Sequence, residues 1–169
     1  LKTLVEQSAP GQRFITTGGP IQYGREQLGH DTYAELTDER LTHLGVDPAR
    51  IISAPAPFAV KDRTYTSAHA VRQTLEARGL FGEPCDVYTV GAHARRSHYL
   101  YQKAFGRDYP VGVRSVESEA LELSRWWASS EAFKSVLNEL FSLMYTYCTG
   151  WQYGEDPHEV GQEQLETGQ

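Results

Sequence analysis

The sequence predicts an α/β protein with a mostly parallel sheet covered on both faces. Two observations carry this. Short β-rich runs alternate with amphipathic segments of helical length. Most of the helical segments also stop at a Gly, and three of the four strand-like runs close on Gly or Pro, as separate elements do.

Taken in order, "LKTLVEQSAPG" reads as the end of a helix already under way, so natural sequence is expected ahead of Leu1. "RFITTG" (13–18) is a short strand closed by Gly18-Gly19. Asp31 is the expected N-cap of a helix over "TYAELTDERLTHLG", which stops at Gly45. "RIISAPA" (50–56) is a strand ended by alternating prolines. "TYTSAHAVRQTLEARG" (64–79) places Ala68, Val71 and Leu75 on one helical stripe. "DVYTVG" (86–91) and "PVGVRSV" (110–116) are the last two strands, separated by a helix over 92–106 that carries Leu100 and Ala104 on one face. The longest helix is expected over 129–148, with Phe133, Val136, Leu137, Leu140 and Met144 as its buried apolar face.

The bulk properties narrow the function. A chain of 169 residues suits one domain with one core, here expected over 1–150, followed by a polar, acidic, flexible tail over 151–169. The net charge of −6 argues against a nucleic-acid partner, which would call for a basic face. No apolar run is long enough to span a bilayer. Cys85 and Cys148 fit neither a zinc site nor a redox pair and read as two buried thiols rather than a disulfide. Dinucleotide, P-loop, nucleophile-elbow and zinc-protease motifs are all missing, so no metal ligand is assigned and the cofactor is left unknown.

Three constellations remain. In "TVGAHARRSHYLYQKAFG" (89–106), Gly91 ends a strand and His93 opens a helix whose exposed N–H groups suit an anion. His93, Arg96 and Ser97 share the stripe that continues as Leu100 and Ala104, so Arg96 points inward, while Arg95 and His98 read as surface. An inward Arg96 needs an anion: a ligand oxyanion in one reading, an internal carboxylate such as Glu139 in the other. His93 is either an acid/base, since its ordinary pKa lies near neutrality, or a residue that caps or packs. Gly18 and Gly19 either admit a ligand close to the backbone or simply turn the chain. In "KDRTYTSAH", Asp62 and Thr64 either cap a helix or turn the Thr64 hydroxyl into the same cavity. Trp126-Trp127, beside Arg125, reads as core packing of the last helices, the alternative being a stacking or membrane-interface patch.

These motifs, in this order, resemble the SanA/YdcF/ElyC-like family of bacterial proteins. The matching segments are Thr17-Gly18-Gly19, "GVDPARIISAPA" with "DRTYTSA", "TVGAHARRS", and "NELFSLMY", and the "HARRS" and "WWASSE" forms mark a subgroup. The resemblance covers about residues 1 to 148. It implies a Rossmann-like three-layer α/β fold with a ligand site above the strand ends, and a role at the inner-membrane side of the cell envelope, often with a membrane anchor ahead of the domain; a cytoplasmic location is the alternative. By motif match it carries over His93, Arg96, Gly18, Gly19, Thr64 and Glu139. Two family acids are replaced, by Tyr33 and by Thr66 in their respective motifs, and the family's first strand is missing.

The functional expectation is a domain binding a small anionic ligand: phosphate, a nucleotide-like group or a lipid phosphate. Arg96, Ser97, Gly18, Gly19, Thr64 and Glu139 are the binding candidates and His93 the catalytic candidate, for hydrolysis or transfer at phosphorus. The alternatives are a non-catalytic binding or scaffold protein and an S-adenosylmethionine-binding protein.

Overall fold

All four strand-like runs form strands. In a computed structural model of the chain, residues 1–116 and 123–149 are described; the acidic tail expected over 151–169 lies outside the described residues. The protein is mixed α/β with small parallel sheets. It divides into two compact units, Leu1–Phe81 and Gly82–Gln169.

The first unit runs α1 (Lys2–Glu6), β1 (Phe14–Gly18), α2 (Arg25–Leu28), α3 (Tyr33–His43), β2 (Ile51–Pro55) and α4 (Arg63–Ala77). β1 and β2 pair in parallel from Phe14 opposite Ile51 to Gly18 opposite Pro55. Alternation sends Phe14 and Thr16 to one face and Ile15 and Thr17 to the other. On the first face the Thr16 hydroxyl bonds the Asp38 carboxylate of α3, and Phe14 packs with Leu41 and Val46. On the second, Thr17 Oγ1 donates to the Ser67 carbonyl of α4 at 3.4 Å. The ladder is therefore clad on both faces, as parallel strands require.

The helix ends follow local chemistry. α3 is capped by Thr32, not by the expected Asp31. The Thr32 hydroxyl accepts from Glu35 N, and the Glu35 carboxylate accepts from Thr32 N, a reciprocal capping box. Asp31 is taken by Arg25 instead. At the other end Val46 N donates to Leu41 O and Gly45 N to Thr42 O, with Gly45 at φ +88°. This is a Schellman turn whose usual apolar contact is supplied by Leu41 against Val46. α4 ends in the same way through Leu80, Leu75 and Gly79.

The second unit runs β3 (Cys85–Val90), a 3-10 turn (Gly91–His93), α5 (Ala94–Phe105), β4 (Val111–Val116), a 3-10 segment (Leu123–Ala128) and α6 (Ser130–Thr149). β3 and β4 pair in parallel from Cys85 opposite Val111 to Val90 opposite Val116. α5 covers one face and buries Ser97, Leu100, Tyr101, Ala104 and Phe105. Among the described residues the other face stays open: Asp86, Tyr88, Val90 and Arg114 are exposed, and Arg114 bonds Asp86 across the strands.

Four expectations are corrected in this unit. α6 buries Ala132 and Thr146, whereas Phe133, Leu140 and Met144 of the expected core face are exposed. Glu139, which pairs with α5, sits on the Ala132–Thr146 side, and satisfying its charge turns that side inward. Trp127 is 66 % exposed rather than core, and Trp126 stacks on Phe133, with ring centres 5.7 Å apart. His98 is half-buried and bonds the Val111 carbonyl through Nε2 at 3.2 Å. Both cysteines are unbridged, but Cys148 is exposed and only Cys85 is shielded; burial pushes the Cys85 thiol up to about 11.

Candidate functional site

The site begins with a change of backbone direction at the carboxyl end of β3. Gly91 is buried and takes φ +67°, a left-handed conformation that side chains resist. Ser115 of β4 fixes it by donating from Oγ to the Gly91 carbonyl at 2.8 Å. The 3-10 turn then delivers His93 as the residue before α5, and Arg96 lies three positions on, on the same side of the helix.

Glu139 meets both from the middle of α6. Arg96 Nε is 3.0 Å from Glu139 Oε2 and Arg96 Nη2 is 3.2 Å from Oε1, a two-pronged pairing. His93 Nδ1 is 3.1 Å from Glu139 Oε1 and 2.8 Å from Arg96 Nη2. One ring nitrogen serves only one of these partners at a time. Protonated, Nδ1 donates to Glu139; unprotonated, it accepts from Arg96. The cluster thus offers two hydrogen-bond patterns that differ by the position of a proton.

Burial of the Glu139 carboxyl acts to raise its pKa. The bonds and charges of Arg96 and His93 outweigh that and hold it below the usual carboxylate range. Arg96 keeps 21 % of its side chain exposed, and its Nη1 end is not used in the fork to Glu139. Ser97 is buried beside it, whereas Arg95 is exposed.

The remaining candidates lie in the first unit, at the carboxyl ends of β1 and β2. Gly18 takes φ +152°, and a Cβ there would come within 2.7 Å of Tyr33 Cβ. A Cβ on Gly19 would meet the Pro57 carbonyl at 3.4 Å. Gly19 O accepts from Tyr33 N, and Gly18 O from Ala56 N. The two glycines therefore let the loop after β1 close on the start of α3 and on the loop after β2. Thr64 is half-buried in the first turn of α4. Its neighbour Asp62 holds the N-cap position in a left-handed conformation, φ 55°, without a side-chain cap bond.

The structure thus brings His93, Arg96 and Glu139 into one cluster, with Ser97 beside it, and puts Gly18, Gly19 and Thr64 in the other unit. Sequence reasoning missed Thr89. Its Oγ1 is buried and has no hydrogen-bond partner among the described residues, and it pairs in register with Ser115, two positions before the Gly91 turn. A Thr in a strand whose alternate residues face a helix was the available signal. Compared with known proteins, the chain matches no protein-family model, no curated protein and no solved structure.

Proposed function

We propose that the second unit binds a small phosphorylated or nucleotide-like anion at the first turn of α5, with Arg96 as its charged contact. One observation carries the reading: a part-exposed guanidinium, fixed by a carboxylate, stands where a helix starts at a strand's carboxyl end. Strand ends of parallel sheets are where such ligands bind, and the first N–H groups of α5 add donors that a helix leaves unpaired. His93 would move the proton, through the two patterns its Nδ1 allows, in hydrolysis or transfer at phosphorus. We further propose the finer fold and setting that the motifs imply: a Rossmann-like three-layer sandwich of the SanA/YdcF/ElyC-like kind, at the envelope. Among the described residues no helix is long and apolar enough to cross a membrane.

A non-catalytic binding protein is the second reading. It is favoured by Glu139, which engages both Arg96 and His93 and leaves this three-residue cluster without a nucleophile.

Thermal-shift measurement on the wild type and on Arg96→Lys tests the proposal. The panel is inorganic phosphate, nucleoside diphosphates, a prenyl phosphate and S-adenosylmethionine. A phosphate ligand should raise the wild-type midpoint by mass action, and the rise should vanish in Arg96→Lys, which keeps the charge but loses the fork. Equal rises in both proteins, or none in either, overturn the proposal. Turnover abolished in His93→Gln selects the enzyme; binding without turnover selects the second reading.

A further inference from the structure

The outward face of α6 has the composition of a core. Phe133, Leu140, Met144 and Tyr147 are each between 42 % and 59 % exposed, while Phe133 also stacks on Trp126 and Tyr147 lies against Tyr99 of α5. With Phe133, Leu137, Leu140, Met144 and Tyr147, apolar side chains recur at steps of four, three, four and three. That 3.5-residue period is the seam of one helix laid along another, narrower than the stripe a helix presents to a globular core. No charged residue interrupts it: Glu131 and Lys134 flank the seam, and Glu139 is turned inward to Arg96.

We propose that this face is a self-association surface, and that two copies of the chain pair through α6, antiparallel about Leu140. The area supports a second copy. Phe133, Leu140, Met144 and Tyr147 present roughly 100 Å² each, and with Trp127 the patch reaches roughly 500 Å² per copy, or about 1,000 Å² for the pair, the lower end of a specific interface. The symmetry fits as well. A two-fold axis at Leu140 sets Phe133 against Tyr147 and Leu137 against Met144, so one self-complementary patch serves both copies. It also holds the two Lys134 side chains about 18 Å apart along the helix axis. A membrane surface fits less well. An interfacial helix carries Lys and Arg along its polar face, whereas α6 has one Lys, two Glu and no Arg.

Sedimentation equilibrium of the full chain tests this, with Leu140→Glu as the disrupting variant. Leu140 is exposed, so the change leaves the fold intact, which circular dichroism verifies. The wild type should dimerise in the micromolar range, and Leu140→Glu should weaken the dimer by at least about tenfold, or about 1.4 kcal/mol. As a second variant, Leu140→Cys in a Cys148→Ser background should form an intermolecular disulfide under mild oxidation, because the axis brings position 140 onto itself. The proposal is overturned by a wild type still monomeric at about 200 µM, or by a dimer indifferent to Leu140→Glu. It is equally overturned if the chain binds anionic vesicles through this face and does not self-associate.

Discussion

The two units use one local plan, strand to turn to helix to parallel strand, and finish it differently. After β1 the turn is held by glycines that close the chain on itself, with the Gly18 and Gly19 carbonyls bonded to Ala56 and Tyr33. After β3 the turn also has a left-handed glycine, but it leads into a charge cluster tied to a distant helix through Glu139. The β1–β2 ladder is clad on both faces; the β3–β4 ladder leaves Tyr88 and Val90 exposed. Where a turn is closed by backbone contacts, its carbonyls are taken up by the chain itself. Where it is closed by a carboxylate on a part-exposed arginine, it has a charge that an anion can compete for.

The largest expected effect comes from removing that carboxylate. Glu139→Leu leaves Arg96 half-buried without its partner and should destabilise the second unit by about 3 kcal/mol. All three tryptophans fall after residue 125, so their fluorescence during heating reads this unit. A midpoint unchanged in Glu139→Leu would mean that the cluster does not hold α6, and the contrast between the two turns would collapse.

Gly18→Ala should come next, at about 2 kcal/mol, because the added methyl meets Tyr33 Cβ on a backbone that side chains avoid. Denaturant unfolding followed by far-ultraviolet circular dichroism checks it. Thr32→Ala removes half of the capping box on α3 and should cost about 1 kcal/mol in the same experiment. If Thr32→Ala proved worse than Gly18→Ala, the first turn would depend on its helix cap more than on its glycine.

The pH response sharpens the contrast most finely. Glu139 has its carboxyl held low in the folded state, so its contribution is fully present above its unfolded pKa of about 4.5. It is lost as the pH falls through the lower folded value, because protonation then costs the fork to Arg96. The midpoint read by tryptophan fluorescence should drop with acidification in the wild type and drop less steeply in Glu139→Gln. Parallel curves would show that other carboxylates govern acid stability.

Much of this was legible in the sequence. The four strands, the Gly stops at Gly45 and Gly79 and the inward turn of Arg96 follow from local rules, and Glu139 could be named as its internal partner because an inward charge demands one. What misled was counting apolar residues on α6. Periodicity finds an apolar stripe but not the neighbour it faces, and here the stripe of Phe133, Leu140 and Met144 points away from α5. Asp31 was misjudged as a cap for a similar reason: a nearby Arg25 claims its carboxylate, and Thr32 is left to cap.

The sequence by itself determined where the four strands run and where α3 and α4 stop. Caps, glycines and prolines act on backbone groups within a few residues, and those distances are fixed by the chain. Only the tertiary structure decided which side of α6 is inside and what neutralises Arg96. Those outcomes depend on groups 43 positions apart, where the energy of one satisfied charge pair outweighs the apolar pattern of the helix that supplies it.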